Sequence, residues 1–84
     1  MLPAAAMPET NETVLDVRGL QCPLPVLRAR KAIQRLTSGA LLRVLATDPS
    51  TVKDFRAFCQ AAGHELLESE SEAGEFHFLL RKRG

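Results

Sequence analysis

Eighty-four residues are enough for one domain with one modest core, and 45% hydrophobic with 25% charged residues reads as a soluble globular chain. The net charge of +1 gives the chain as a whole no nucleic-acid signature, and two cysteines are too few for a disulfide-stapled secreted scaffold. With no Trp, no Tyr and only four Phe, an aromatic platform for stacking bases is disfavoured.

Residues 1–12 read as a disordered tail. The stretch Leu2-Pro3-Ala4-Ala5-Ala6-Met7-Pro8 is apolar but short and broken by proline, and no basic segment precedes it. It therefore does not read as a secretory signal, and Met7 offers an alternative start. No run approaches the length of a membrane span. These features predict a cytoplasmic protein in a reducing compartment, where a thiolate persists.

Residues 13–84 read as the single domain. Thr13 to Arg18 alternates, with Thr13, Leu15 and Val17 on one face and Val14, Asp16 and Arg18 on the other, which predicts a half-buried first strand. Gly19 permits the turn into Leu20-Gln21-Cys22-Pro23-Leu24-Pro25. From Pro23 the period becomes helical: Val26, Ala29, Ile33 and Leu36, supported by Ala32, form an apolar stripe. Arg28, Lys31, Gln34 and Arg35 take the other side, and Gly39 suits the left-handed position that ends the helix. Ala40 to Thr47 is apolar at nearly every position except Arg43, which predicts a central strand buried on much of both faces.

Asp48-Pro49-Ser50-Thr51 starts a second helix. Asp48 can cap it, and Asp54 three residues after Thr51 gives a shifted alternative. Val52, Phe55, Cys59 and Ala62 form its stripe, with Phe58 beside it, and Gly63 stops it. Glu65 to Glu70 reads as a short, acidic edge strand. After a turn over Ser71–Gly74, Phe76, Phe78 and Leu80 alternate with Glu75, His77, Leu79 and Arg81 in a last strand. The order β-α-β-α-β-β predicts an α+β fold: a two-layer α/β sandwich, its mixed four-stranded sheet carrying both helices on one face.

The chemistry concentrates at Cys22. Proline is tolerated in the first helical turn, because the N–H it lacks would have no intrahelical partner there, so Cys22 is expected to occupy or border the N-cap. A helix start favours the thiolate. A free cysteine of pKa ~8.5 is about 3% thiolate at pH 7, and one tuned to ~7 is about half thiolate. A redox Cys-x-x-Cys would place its second thiol where Pro25 stands, so an oxidised or sulfur-loaded Cys22 cannot close a ring within the motif. Pro23 and Pro25 also remove two amide donors, which leaves the Leu24 N–H as the nearest one. The sulfur is thus expected to be activated, exposed, lightly solvated and obliged to exchange with another molecule. Between Asp16 and Asp48 there is no acid, yet Arg18, Arg28, Arg30, Lys31, Arg35 and Arg43 lie there. Such a charge run is commonly a solvated helix face. Its functional reading is a basic rim around Cys22 that steers an acidic protein surface or an RNA backbone.

Leu15-Asp16-x-Arg18-Gly19-Leu20-x-Cys22-Pro23-x-Pro25 resembles the signature of the TusA/SirA-like sulfur-carrier family. Arg30-Lys31, Asp48-Pro49, Asp54, Cys59, His64-Glu65-Leu66 and Arg81-Lys82 join it, and this wider set looks most like the TusA branch. The resemblance covers residue 13 to the C-terminus. It implies a two-layer sandwich and a role in sulfur trafficking. The motif cysteine, Cys22, would accept sulfane sulfur from a cysteine desulfurase as a persulfide and relay it to a downstream thiol. The TusA branch leads to 2-thiouridine at the tRNA wobble position, so tRNA would be reached indirectly. The resemblance further implies a sulfurtransferase acting as a carrier without independent turnover, and calls for no cofactor or metal. Gly19, Pro23 and Pro25 would support the motif, and Arg18, Arg30, Lys31 and Asp48 would face partner proteins. One position departs from the branch: Leu24 stands where Glu is common between the prolines. That leaves open delivery to sulfur oxidation, molybdenum-cofactor or selenium pathways.

Three other readings compete. Cys22 and Cys59 could form a thiol redox pair, although Cys59 on an apolar stripe reads more simply as a buried structural cysteine. The basic helix face could serve a binding module, which leaves the Cys-Pro-x-Pro unexplained. Cys22, Cys59, His64 and His77 could hold a metal, but their spacing matches no dense ligand pattern.

Overall fold

The computed structural model describes residues 12–84, so the predicted tail lies outside the described residues except for Glu12. Glu12 opens the first strand, β1 (Glu12–Asp16), and its carboxylate accepts Arg43 Nε from the neighbouring strand at 2.8 Å. The chain continues through α1 (Leu24–Gln34), β2 (Leu41–Ala46), α2 (Thr51–Ala62), β3 (Glu65–Glu72) and β4 (Glu75–Arg81). β1 runs parallel to β2, with Leu15 opposite Val44, and α1 supplies the crossover that a parallel pair requires. β4 pairs antiparallel with β2 on one side and β3 on the other, giving the spatial order β1-β2-β4-β3.

Both helices cover one face of this sheet. Leu42, Val44 and Ala46 of β2 and Phe78 and Leu80 of β4 share one buried cluster with Ala29 and Ile33 of α1 and Phe55 and Cys59 of α2. Phe55 stacks on Phe78 with ring centroids 4.8 Å apart, a pairing worth about 0.5–1.5 kcal/mol beyond the area it buries. Val26, Ala32, Leu36, Val52 and Phe58 pack around the cluster, as the helical spacing predicts. This is the predicted α+β two-layer sandwich.

Several local expectations change. β2 is central but closed on one face only. Leu42, Val44 and Ala46 are buried while Leu41, Arg43 and Leu45 are half-buried, because both helices lie on the same side. The outer face is partly roofed by charge: Arg43 bridges to Glu12 and, at 3.4 Å, to Glu68. Leu79 lies between Arg43 and Glu68 in the strand register and is 7% exposed, although its place in the alternation predicted a solvent-facing residue. Ala62, assigned to the α2 stripe, is exposed at the last helical position before Gly63 turns the chain at φ +82. Gly39 is not the residue that ends α1. The cap is Arg35, and Lys82 Nζ reaches the carbonyl oxygens of Leu36 at 2.7 Å and Gln34 at 3.4 Å, placing a cation at the negative end of the helix. Gly39 instead serves the turn into β2, where its N–H donates to the Lys82 carbonyl at 2.8 Å. β3 is an edge strand as expected but runs on to Glu72, leaving Ala73-Gly74 as a two-residue hairpin turn with φ of 52° and 82°.

Candidate functional site

The loops that follow the parallel strands β1 and β2 meet at the carboxyl end of the sheet, where open α/β sheets commonly present their sites. Val17 N–H donates to the Leu45 carbonyl at 2.8 Å, carrying the pairing one residue past β1. The chain then turns at Gly19, whose φ of +84° strains any side chain, and the Gly19 N–H donates to Thr47 Oγ1 at 2.9 Å. The Cys22 N–H donates to Asp48 Oδ2 at 2.6 Å. Asp48 Oδ1 accepts both the backbone N–H and the hydroxyl of Ser50, each at 3.0 Å. The backbone donors of Ser50 and Cys22 hold the Asp48 carboxyl below its ordinary range. Asp48 is thus the clamp between the Cys22 loop and the start of α2. Behind it the buried Thr51 hydroxyl donates to the Asp48 carbonyl at 2.6 Å.

Pro23 is the N-cap of α1, joined to Cys22 by a cis peptide bond, so Cys22 borders the cap. Pro25 is buried in the first turn. The Leu24 N–H, expected to be the donor nearest the sulfur, donates to the Gln21 carbonyl at 2.9 Å and is occupied there. Cys22 itself is exposed and stands on the ridge between two shallow hollows. One, of about 430 Å³, is lined by Gly19, Leu20, Gln21, Thr47, Asp48 and Pro49. The other, of about 390 Å³, is lined by Pro23, Val26, Arg30, Asp54, Ala57 and Phe58. Cys22 lines both.

The charge around the sulfur is not the predicted basic rim: Asp48 and Asp54 line its hollows against Arg30 alone of the predicted cations. The neighbouring Asp54 carboxylate pushes Cys22 above the ordinary cysteine value, with desolvation and the charge of Asp48 adding to it; the Ser50 hydroxyl opposes them. The arginines have other partners or other positions. Arg18 grips Asp16 through Nε and Nη2 at 2.9 and 2.8 Å and reaches Glu75 at 3.2 Å, which holds the Asp16 carboxyl down at about 2. Arg43 lies on the outer sheet face with Glu12 and Glu68. Arg28 and Lys31 on α1 and Arg35 at its cap are exposed, and Arg28, Arg30 and Lys31 line a groove with Leu24 and Leu27. Arg30 alone of the predicted cations shares a hollow with Cys22.

Cys59 is buried, and burial pushes its thiol up to about 11. His64 accepts the Arg83 N–H at Nδ1 and tilts against Phe58, while His77 pairs with Glu75 at 3.1 Å. Among the described residues no three His, Cys, Asp or Glu side chains are grouped to hold an ion. No helix among them is long and apolar enough to cross a membrane.

Ser50 and Asp54 are the site residues that sequence reasoning did not assign to the sulfur: Ser50 entered only as part of a helix start, and Asp54 as a shifted cap and one member of the wider family pattern. Their spacing of four puts both on one side of the first turn of α2, but only the packing of α2 beside the loop brings that side to the sulfur.

Residues 13–82 match the family model described as Sulfurtransferase TusA. The chain belongs to the TusA family of sulfur carriers. It is 56% identical over 68 residues to the sulfur carrier protein TusA of Allochromatium vinosum, covering 81% of this chain and 90% of that protein. It is 46% identical over 74 residues to the protein of the same name from Pseudomonas putida, covering 88% and 92%. Among solved structures it resembles a SirA-like protein from Desulfitobacterium hafniense, with a TM-score of 0.74 at 25% identity, covering 84% of this chain and 97% of that one. The family resemblance seen in the Cys-Pro-x-Pro signature and the mixed-sheet sandwich therefore both hold.

Proposed function

We propose that Cys22 is the sulfur-carrying residue of this family member: it takes sulfane sulfur from a cysteine desulfurase as a persulfide and passes the outer sulfur to the thiol of a downstream relay protein. The observation that carries this reading is the inequality of the two thiols. Cys22 is exposed at the edge of two hollows, and Cys59 is buried in the core. A single accessible sulfur can be loaded and emptied by other proteins, and it has no accessible thiol of its own chain to resolve it. The persulfide intermediate splits one transfer into two exchange steps, as covalent catalysis does elsewhere. Arg30 and Lys31 on α1 and Asp48 beside the sulfur form the surface on which such partners would dock, and the relay is assigned to the cytoplasm, where thiols stay reduced.

By the same reading the relay ends in 2-thiouridine at the tRNA wobble position, with tRNA reached through the downstream protein. One position leaves a second destination open. Leu24 is 43% exposed and lines the α1 groove with Arg30 and Lys31, so an apolar side chain stands where the branch commonly carries Glu. That leaves open partners of sulfur oxidation, molybdenum-cofactor or selenium metabolism. Incubation with a cysteine desulfurase and cysteine, followed by intact-mass measurement, tests the loading step. Wild type gains one sulfur atom, and Cys22→Ala gains none. Equal loading of Cys22→Ala would end the proposal. Capture of partners on wild type and Cys22→Ser then separates the two destinations.

A further inference from the structure

Cys22 and Asp54 line the same hollow, one at the end of the β1–α1 loop and the other in the first turn of α2. The Ser50 hydroxyl lies 3.0 Å from Asp48 Oδ1 and 3.4 Å from Asp54 Oδ2. A hydroxyl has one proton to donate, so it cannot satisfy both carboxylates at once, nor serve the sulfur while serving either. Asp48 has a second oxygen engaged by the Cys22 N–H and a first by the Ser50 N–H, whereas Ser50 is the protein donor that reaches Asp54. The charged groups facing the sulfur are therefore Asp48 from the β2–α2 loop, Asp54 from α2 and Arg30 from α1.

We propose that Asp54, seconded by Asp48, is a restraining residue: it keeps Cys22 as a thiol in the free carrier and releases it when a docking partner sets a lysine or arginine against the carboxylate. The proposal rests on the reading of Cys22 as the reacting sulfur and adds how its reactivity is timed. A carboxylate beside a sulfur opposes a second negative charge, and a cation laid on that carboxylate cancels the opposition. Burial, which silences Cys59, cannot be relieved without opening the core; a half-buried carboxylate that lines an open hollow can be neutralised by contact. The free carrier thereby resists oxidants and stray electrophiles, which react with the thiolate. In the docked complex the thiol gives up its proton and the Cys22 thiolate attacks the outer sulfur of the donor persulfide. The new Sγ–S bond forms as the donor S–S bond breaks, and the donor thiolate leaves and takes up a proton. One sulfur changes hands with no net oxidation.

The test is the pH dependence of iodoacetamide labelling at Cys22, read by mass on the full chain without any sulfur donor. Its failure would leave the loading experiment untouched, and failed loading would leave this result standing. Each pH unit by which the midpoint falls gives about tenfold more thiolate and costs about threefold in intrinsic nucleophilicity, a net gain of about threefold in rate. The midpoint should fall in Asp54→Asn, with the rate at pH 7 rising at least about twofold. It should stay near wild type in Asp54→Glu and fall furthest in Asp54→Lys, which builds in the partner's cation. Asp54→Ser, a second uncharged side chain suited to a first helical turn, should follow Asp54→Asn, so that a folding defect in either one, seen by circular dichroism, does not decide the matter. Added salt should lower the wild-type midpoint and move the Asp54→Asn midpoint less. An unchanged or raised midpoint in the folded uncharged variants, or a midpoint in Asp54→Lys no lower than wild type, overturns the proposal.

Discussion

Cys22 sits exposed on the loop between β1 and α1, whereas Cys59, 4% exposed, sits on the apolar stripe of α2 among Ala29, Ile33, Phe55 and Phe78. Both thiols are held above the ordinary cysteine value, but by different physics. For Cys59 the cause is burial, which is fixed for as long as the domain is folded. For Cys22 the first cause is the neighbouring Asp54 carboxylate, which lines the same open hollow. The difference teaches that one residue type in one small domain can be a permanent piece of core or a reactive handle. What separates them is whether the restraint can be lifted without unfolding.

Chemical labelling of the native protein offers the widest test of that contrast. At pH 8 a thiol at about 11 is only about 0.1% thiolate, and it is also screened from reagent, so iodoacetamide should modify Cys22 and leave Cys59 untouched until denaturant is added. Equal labelling of both cysteines in the folded protein would erase the distinction. Stability should separate them in the opposite sense. Cys59→Ala leaves a small void in the core and should cost about 1–2 kcal/mol in urea unfolding, while Cys22→Ala on the surface should stay within about 0.5 kcal/mol of wild type. A cost at Cys22 matching that at Cys59 would mean that the loop sulfur is part of the core after all. The smallest effect is expected of Ser50→Ala. Removing a hydroxyl that favours the Cys22 thiolate should raise the labelling midpoint and lower the rate at pH 7 by less than about threefold. A lowered midpoint would assign the hydroxyl the wrong sign.

The elements that position Cys22 are readable from the chain, because they obey local rules. The stripes Val26-Ala29-Ile33 and Val52-Phe55-Cys59 declare two helices and the faces they bury, and Pro23 and Pro25 mark where the first helix begins. What surrounds the sulfur is set by tertiary packing and is not readable in this way. Arg18 and Arg43 lie in the same acid-free stretch as Cys22, yet each turns to carboxylates, Asp16 and Glu75 for one, Glu12 and Glu68 for the other. Asp54 lies far along the chain and arrives at the thiol only when α2 docks beside the loop. β2 misleads for a related reason. Leu41 and Leu45 look like core residues in sequence, but they lie half-buried on the face that no helix covers. Leu79 on the same face escapes solvent in a row that the Arg43–Glu68 ion pair spans.

The central claim is that sulfur rides on Cys22, and intact-mass analysis after incubation with a cysteine desulfurase and cysteine tests it most directly. Wild type and Cys59→Ala should each gain one sulfur atom, lost again on reduction, and Cys22→Ala should gain none. Sulfur retained by Cys22→Ala, or abolished by Cys59→Ala in a folded protein, would contradict the account.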